Sequence, residues 1–371
     1  MTTSQSLFAR SLFLALGPLA VPLAGFANHD DDSAGTVYTM SNAADGNRIL
    51  VFDRHAGGGL KWAASYPTGG MGTGASLGDQ GALALSGDGR WLLAVNAASN
   101  ELSVFAVHRG VLVLTDIVPS GGENPISVAI DANLVYVLHA GGAVGSSDNI
   151  SGFYLSPLGR LQALPGSTQA LSAANTGPAQ ISFGLHGDQL VVTEKNTNLL
   201  DQFAVDTNGV AGPVHSSASS GATPFGFAVS RSGLLVVSEA PGSALSSYWL
   251  HPDATLNVVT ASLGDNQGAA CWVVLSKNER YAYTANAASS NISGYRIAPD
   301  GSLTLFADGG VTGVVDNHPL DMGVTEDGRF LYSLNTGSQT IVGFRIGANG
   351  SLTRVSDTSG VPASAAGLVA R

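Results

Sequence analysis

The stretch Asp321–Gly347, DMGVTEDGRFLYSLNTGSQTIVGFRIG, indicates a repeat protein because two other stretches repeat its pattern closely. Residues 82–108 read ALALSGDGRWLLAVNAASNELSVFAVH, and residues 271–298 read CWVVLSKNERYAYTANAASSNISGYRIA. Each contains an alternating strand, a charged turn, a second strand ending in Asn, a turn of small residues and a third strand. A glycine turn and a fourth strand follow at 300–304 and 349–353. Such short runs between turns are typical of β-hairpins, not helices.

Weaker copies of the same unit begin at Ile126, Ile181 and Phe225. We call the residue that ends the second strand of each unit its marker residue. From the second unit onward, successive markers are 43 to 55 residues apart. Four strands with a period of this size predict a propeller blade, not a solenoid turn. The markers are Asn42, Asn96, His139, Glu194, Glu239, Asn286 and Asn335.

The two ends of the chain together supply one more unit. Thr36–Ala43 matches a second strand and Arg48–Asp53 a third, but no first strand precedes them. The missing strand is present at Val361–Ala370, so we expect terminal strands to pair and close a ring. The sequence therefore predicts an all-β fold over residues 37–371, a seven-bladed β-propeller of four-stranded antiparallel blades.

Composition and the N-terminal segment narrow the location and the partners. The net charge of −11 argues against nucleic acid or an anionic membrane surface as a partner. Arg10 and the apolar run after it predict a signal peptide over residues 1–27, followed by a flexible acidic tail over 28–36. A retained membrane helix is the weaker alternative, because prolines interrupt the run. We expect a secreted or periplasmic monomer without a membrane span, and the single Cys271 predicts a buried thiol and no internal disulfide.

On these repeated motifs the chain resembles the lactonase-like seven-bladed propeller family, which includes 6-phosphogluconolactonases and carboxymuconate cyclases. The resemblance covers about 37–371 and rests on the DGR turns, the DGSL and NGSL turns and the closing Gly367–Ala370. The segments PAQISF and LVVTEKNTN, which begin at Pro178 and Leu190, are similar to an exported branch. The resemblance implies a hydrolase acting on a lactone. Ala179 stands where the family is expected to carry a basic residue, which favours an uncharged or weakly charged substrate.

The marker residues are the first candidates for a functional site. In a propeller, strand two ends on the face where strand one begins, so the markers should surround one channel mouth. Most are Asn, which often serves only as a turn residue. His139, Glu194 and Glu239 break the repeat on three consecutive blades, and we predict that they catalyse lactone hydrolysis as general base and acid. The predicted ligand-binding residues at the same mouth are Asn96, Gln180, Phe225, Trp272, Asn286, Asp321 and Asn335.

Two alternatives to a cofactor-free enzyme stay open. Glu194, Glu239 and Asn286 carry oxygen ligands of the kind that Ca²⁺ prefers, and His139 could join them. The second alternative is a non-catalytic periplasmic or extracellular propeller that binds a small molecule or a protein. Convergence of His139, Glu194 and Glu239 on one water-sized position would favour the enzyme. A broad exposed apolar patch would favour the binding protein.

Overall fold

The computed structural model describes Met1 and residues 33–184, 187–307 and 309–371. The predicted signal peptide, apart from Met1, and residues 28–32 of the predicted tail lie outside the described residues. The first strand begins at Gly35, two residues before the predicted start of the propeller. None of the helices in the described part of the chain has the length and hydropathy needed to cross a bilayer.

The described strands form seven antiparallel sheets, each with one strand at the channel and the others progressively farther out. Blade 1 joins β1 (Gly35–Met40), β2 (Arg48–Arg54) and β3 (Leu60–Pro67) to the last strand, β30 (Ala366–Ala370). Blade 2 contains β4 (Leu83–Leu85), β5 (Trp91–Asn96), β6 (Glu101–His108) and β7 (Val111–Pro119). Blade 3 contains β8 (Pro125–Asp131), β9 (Leu134–His139), a 3₁₀ helix (Gly141–Ala143), β10 (Asn149–Leu155), β11 (Leu161–Ala163) and β12 (Gln169–Ala170).

The remaining four blades follow in chain order around the ring. Blade 4 contains β13 (Pro178–Gly184), β14 (Gln189–Glu194), β15 (Leu199–Ala204) and β16 (His215–Ala218). Blade 5 contains β17 (Pro224–Val229), β18 (Leu234–Glu239), β19 (Ala244–Leu250) and β20 (Leu256–Gly264). Blade 6 contains β21 (Ala270–Leu275), β22 (Tyr281–Asn286), β23 (Asn291–Ile297), β24 (Leu303–Leu305) and β25 (Val311–Val314). Blade 7 contains β26 (Pro319–Val324), β27 (Phe330–Asn335), β28 (Thr340–Ile346) and β29 (Leu352–Ser359).

The ring closes where the sequence predicts. Strand β30 pairs antiparallel with β1, with Val37 opposite Ala370 and Thr39 opposite Leu368. The Thr39 hydroxyl also donates a hydrogen bond to Gly367 O at 2.6 Å. The innermost strand of blade 1 thus comes from the far end of the chain, which confirms the predicted closure of the ring. The sheets themselves confirm the seven antiparallel blades.

Burial explains why strand two of most blades is a continuous apolar run. Strand β27, FLYSLN, is buried at all six positions because neighbouring blades cover both of its faces. Its Phe330 and Tyr332 pack in one cluster with Val37 and Phe52 of blade 1. Full burial of such a side chain contributes about 1.5 to 3 kcal/mol, so contacts between blades hold the ring together.

Candidate functional site at the channel mouth

Marker residues lie buried beneath the crossovers that lead from one blade to the next. Asn96 accepts a hydrogen bond from Thr68 Oγ1 at 2.7 Å and donates one to Ser103 Oγ at 2.8 Å. Thr68 belongs to the crossover from blade 1, so this marker ties two blades together. The other asparagine markers predicted to bind ligand also bond within their own blades, Asn286 to Ser293 Oγ at 2.8 Å and Asn335 to Ser333 O at 3.0 Å.

His139 occupies the same kind of position in blade 3. Its Nε2 lies 3.0 Å from Ser120 Oγ of the crossover, and its Nδ1 lies 3.4 Å from Asn149 O. A Cβ on Gly122 would come within 2.6 Å of His139 Cγ, so the crossover can pass over the ring only with glycine there. Burial lowers the pKa of His139 to about 4, which leaves the ring neutral at neutral pH.

Glu194 and Glu239 are likewise bound to their own blades and crossovers. Glu194 accepts a hydrogen bond from Ser172 N at 3.0 Å and shares a hydrogen bond with Asp201. Burial, together with that hydrogen bond, raises the pKa of Asp201 to about 8, so the pair holds a proton at neutral pH. Glu239 accepts a hydrogen bond from Gly221 N at 2.7 Å and another from the Ser246 hydroxyl.

The three residues predicted to be catalytic therefore have separate surroundings. In the part of the chain that the structure describes, none of His139, Glu194 and Glu239 hydrogen-bonds to either of the others. Their catalytic role stays a prediction. Ca²⁺ binding also stays a prediction. Among the described residues there is no group of three or more His, Cys, Asp or Glu placed to hold a metal ion.

A different group of residues meets at the mouth because one crossover is unusually long. The crossover between blades 1 and 2, residues 68–82, has 15 residues, whereas the other six have four to seven. Loops of this length inside a compact domain are commonly functional. Its last residues turn into the channel, and the inner strand β4 that follows is reduced to three residues.

The end of this crossover is bonded across the channel. The side-chain amide of Gln80 donates to Val273 O at 2.8 Å and accepts from Val273 N at 3.0 Å, as a neighbouring strand would. Trp272 Nε1 donates to Asp79 O at 2.7 Å. Gln180, predicted to bind ligand, makes an equivalent pair of bonds to Phe227 N and O at 2.7 and 3.0 Å. Both glutamine amides are thus occupied by backbone.

Asp79, Lys195 and Asp321, which we call the mouth cluster, lie where the crossover enters the channel. Asp321 accepts hydrogen bonds from Gly367 N at 3.0 Å and Gly81 N at 3.4 Å. Asp79 Oδ2 is buried and has no hydrogen-bond partner among the described residues. Lys195 Nζ donates to Gly78 O, and it lies 4.9 Å from the centre of the Phe225 ring.

Aromatic side chains form one wall of the mouth cluster. The Phe225 and Trp272 rings meet edge to face, with centres 5.1 Å apart, and both residues are buried. Three of the predicted ligand-binding residues, Phe225, Trp272 and Asp321, therefore do come together. An ammonium group above an aromatic face is a favourable cation–π arrangement, so this wall also helps to hold Lys195 in place.

Burial controls the charges of the mouth cluster. It raises the pKa of Asp79 well above the usual range, and the neighbouring Asp321 raises it further while Lys195 opposes the shift. Burial also raises the pKa of Asp321, to about 7, and lowers that of Lys195. Two carboxyl groups that interact this way share one proton near neutral pH. The cluster can therefore supply a carboxylate, a carboxylic acid and an ammonium group at one place.

The sequence reasoning missed Asp79 and Lys195. Lys195 follows Glu194 directly and points elsewhere, as expected for adjacent residues of a strand, so its partner cannot be read from its neighbours. The available signal for Asp79 is the stretch of 36 residues, 55–90, between β2 of blade 1 and β5 of blade 2, which holds more chain than two strands need.

The opposite end of the channel is an open funnel of about 590 Å³ with Gln80 at its floor. Equivalent positions of the inner strands line it with aliphatic side chains. Its rim carries charges of both signs, on turns between strands one and two and at Arg371, which follows β30. The aliphatic residues include Leu85, Val229, Leu275, Val324 and Val369, and the charged residues are Arg231, Lys277, Glu279, Glu326 and Arg371.

Comparison with known proteins agrees with this fold. The family model described as lactonase, 7-bladed β-propeller, matches residues 37–162 and 250–367. The two ranges leave out residues 163–249, which contain Lys195 and Phe225. A search of curated proteins gives no match.

Several solved structures have the same architecture over nearly their whole length. A candidate 6-phosphogluconolactonase from Bacteroides uniformis is 20% identical, with a TM-score of 0.70 over 90% of this chain and 99% of its own. The periplasmic gluconolactonase of Pseudomonas aeruginosa is 13% identical, with a TM-score of 0.68 over 89% of this chain and 98% of its own. A protein from Lactobacillus plantarum is 14% identical, with a TM-score of 0.72 over 91% and 99%. At these identities the likeness establishes the fold alone.

Proposed function

Because the chain belongs to the family of seven-bladed β-propeller lactonases, we propose that it hydrolyses a small cyclic ester at the mouth cluster. The observation that carries this proposal is the proton-sharing carboxyl pair, Asp79 and Asp321, beside the ammonium group of Lys195. Perturbed acids and bases that meet in one place at the end of a channel are characteristic of functional sites.

The three groups have complementary roles in ester hydrolysis. The ionised carboxylate of the pair takes a proton from water as the water oxygen bonds to the ester carbonyl carbon. Lys195 stabilises the negative charge that develops on the carbonyl oxygen. When the ring C–O bond breaks, the protonated carboxyl of the pair donates its proton to the leaving oxygen. The product is the open-chain hydroxy acid, and the pair again holds one proton.

The charge of the cluster bears on the class of substrate. Lys195 is the only cation among the three groups, and it faces two carboxyl groups. A phosphate or dicarboxylate substrate needs an excess of cationic groups, usually arginines that bind in a bidentate manner. We therefore propose an uncharged or weakly charged lactone, with Phe225 and Trp272 offering an aromatic wall to its ring.

The predicted signal peptide and the periplasmic gluconolactonase among the structural neighbours support action outside the cytoplasm. Export stays part of the proposal. Fractionation of the cells that make the full-length chain, with N-terminal sequencing of the mature protein, tests it. Cleavage after Ala27 supports the proposal, and an intact N-terminus in the cytoplasm contradicts it.

A panel of uncharged and anionic lactones, followed by acid release, tests the activity. We expect turnover of an uncharged lactone, with Asp321→Asn lowering kcat by about 10²- to 10⁴-fold, as is usual for loss of an acid or base. Asp253→Asn, in an exposed turn of blade 5, is the matched control and should retain the activity. A His139→Ala variant is measured in the same assay. If His139→Ala loses activity while Asp321→Asn keeps it, and both proteins are folded, His139 and not the mouth cluster takes part in hydrolysis.

The second candidate function is ligand binding without catalysis. The crossover covers the mouth, whereas the funnel of about 590 Å³ is open and has the size of a small-molecule site. Absence of turnover on every lactone, combined with a rise in Tm on addition of one of them, would favour this candidate over hydrolysis.

A further inference from the structure

Several buried oxygen atoms without a hydrogen-bond partner occur where blade 5 meets blade 6. Among the described residues, no partner is present for Asp265 Oδ2, Asn286 Oδ1, Ser243 Oγ or Thr284 Oγ1, and all four residues are buried. Asp265 begins the crossover between the two blades, and its N donates to Ser243 O at 2.9 Å. Thr284 lies two residues before Asn286 in β22, so their side chains share one face of the strand. Buried polar atoms are normally paired, so this group needs an explanation.

Blade 2 shows what the same positions do when they are paired. Its marker Asn96 donates through Nδ2 to Ser103 Oγ at 2.8 Å and accepts at Oδ1 from Thr68 Oγ1 at 2.7 Å. Thr68 is the first residue of the crossover between blades 1 and 2, and its hydroxyl accepts from Gly70 N at 3.3 Å. At this place in the repeat an amide oxygen thus faces a hydroxyl donor.

In blade 6 a carboxylate takes the place of that hydroxyl. Asp265 is the first residue of its crossover, and its Oδ1 accepts from Gln267 N, two residues on, at 2.9 Å. The marker Asn286 donates to Ser293 Oγ at 2.8 Å. These bonds repeat those of blade 2. The Asn286 oxygen therefore faces the Asp265 carboxylate, and two acceptors meet with no donor between them.

A row of hydrogen bonds fixes which atom of the Asn286 amide faces Asp265. Asn286 Nδ2 also donates to Asn291 Oδ1 at 2.8 Å, and Asn291 Nδ2 donates to Gln267 Oε1 at 2.6 Å. Gln267 Nε2 donates to Gly309 O at 2.7 Å, and a backbone carbonyl can only accept. Rotating the amides would only move the meeting of two acceptors along the row.

The charge at this place favours a cation over a single proton. Asp265 and Glu239 are both buried, and in the described part of the chain neither forms an ion pair. Burial raises the pKa of Tyr295, and the nearby carboxylates of both residues raise it further. A buried charge is costly unless it is paired. A proton would satisfy one oxygen, whereas a cation neutralises the charge and binds several oxygens at once.

We propose that Asp265 and Asn286 bind a Ca²⁺ ion, with the hydroxyl groups of Ser243 and Thr284 as further oxygen ligands. Ca²⁺ prefers a set made only of oxygen atoms, such as carboxylates and amide carbonyls. Because the set contains one carboxylate, the dissociation constant should be about 10⁻⁴ to 10⁻³ M, as in extracellular calcium modules. The ion joins β22 to the crossover that leads into its blade, as a direct hydrogen bond does in blade 2.

The proposed ligands differ from the calcium ligands predicted from the sequence. Only Asn286 is common to both sets, since Glu194 and Glu239 bond within their own blades and crossovers. The site shares no residue with the mouth cluster, so it does not depend on the proposed hydrolysis.

Thermal unfolding of protein that has been treated with EDTA and then freed of the chelator tests the site. We expect about 10 mM CaCl₂ to raise Tm by about 2 to 5 °C. The same concentration of MgCl₂ should raise it less, because Mg²⁺ gives up its water reluctantly and demands octahedral geometry. Calorimetric titration with CaCl₂ should give one ion per chain.

Asp265→Thr gives this crossover the residue type that blade 2 has at the same position. The variant should bind no Ca²⁺, and its Tm should equal or exceed that of the metal-free wild type, because a hydroxyl donor then faces the Asn286 oxygen. Asp253→Asn, in an exposed turn, and Asp321→Asn, in the mouth cluster, should keep the Ca²⁺ response. If Asp265→Thr does not fold, Asp265→Asn takes its place and should lose the response as well.

The comparison between variants decides the outcome. Loss of the Ca²⁺ response in the Asp265 variant, with the response kept in both controls, supports the site. A wild type without a saturable response, or equal shifts with CaCl₂ and MgCl₂, overturns it. A response that survives Asp265→Thr but is lost in Asp321→Asn also overturns it, since the ion would then lie at the mouth cluster.

Discussion

The two ends of the central channel are built from the same seven blades but differ in the side chains that line them and in their exposure to solvent. At the mouth, buried carboxyl groups and one lysine lie behind a 15-residue crossover. At the funnel, aliphatic side chains and exposed charges surround an open space of about 590 Å³. The funnel follows from the repeat, since each inner strand supplies an equivalent residue. The mouth differs because a single crossover departs from the repeat and carries Asp79 and Gln80 into the channel.

This difference shows where a repeat protein can place a function. A symmetric ring gives seven similar environments, and one insertion is enough to make one end unique. The marker residues illustrate the opposite case. His139, Glu194 and Glu239 vary in type, yet each fills the same position beneath its own crossover. Variation within a repeat position can therefore be accommodated locally, without joining the varied residues in one site.

Removal of the Gln80 side chain should give the largest difference in stability between variants of the two ends. Gln80→Ala leaves the buried N and O of Val273 unpaired, which should lower the free energy of unfolding by about 2 to 6 kcal/mol. Ser182→Ala, in the funnel wall, should change it by less than about 0.5 kcal/mol. Urea denaturation of both variants measures this. Equal losses would mean that the Gln80 side chain contributes no more to stability than a side chain of the funnel wall.

The buried acid pair of blade 4 should make the mouth face sensitive to alkali. The pKa of Asp201 is about 8 when folded, above its unfolded value, so its stabilising effect is complete below about pH 4 and is lost as pH rises to 8. Over that window the free energy of unfolding falls with a slope that approaches about 1.4 kcal/mol per pH unit. Asp201→Asn should reduce this slope by the contribution of one titrating group, as measured by urea denaturation from pH 4 to 9. Ser182→Ala in the funnel wall, which removes no titratable group, should leave the slope unchanged. Parallel curves for wild type and Asp201→Asn would contradict this.

His139 should add a smaller effect in the acid range. Its folded pKa of about 4 lies below the unfolded value, so its contribution is present above about pH 6.5 and is lost as pH falls through 4. A His139→Gln variant, which cannot become charged, should lose less stability than the wild type between pH 6.5 and 4. Thermal unfolding at each pH measures the difference. A steeper loss in the variant would show that the ring is not held neutral.

The charged rim of the funnel should give the smallest effect. Arg231 Nε lies 3.0 Å from Glu279 Oε1, but the arginine side chain is 77% exposed. Exposed ion pairs contribute about 0 to 1 kcal/mol and are screened by salt. Arg231→Gln should therefore lower Tm only slightly, and the difference from wild type should vanish in about 1 M salt. A large loss that persists in salt would show that this rim has a structural role.

The sequence predicts the fold and its closure because both depend on local patterns. Alternation, turn glycines and the position of Val361–Ala370 are properties of neighbouring residues, and the structure confirms the ring they imply. The mouth cluster depends instead on the path of one loop. Phe225, Trp272 and Asp321 could be placed at the mouth because they begin inner strands. Asp79 could not, since nothing local specifies that its loop turns into the channel.

We propose that the mouth, and not the funnel, is where the lactone is hydrolysed. Measurement of kcat/KM on the best lactone tests this for two variants, Lys195→Met at the mouth and Ser182→Ala in the funnel. Loss of a group that stabilises developing charge costs about 10²- to 10³-fold, so we predict that loss for Lys195→Met. We predict a change within about twofold for Ser182→Ala, where no reacting group is removed. Equal values for the two variants, or a larger loss in the funnel variant, would contradict hydrolysis at the mouth.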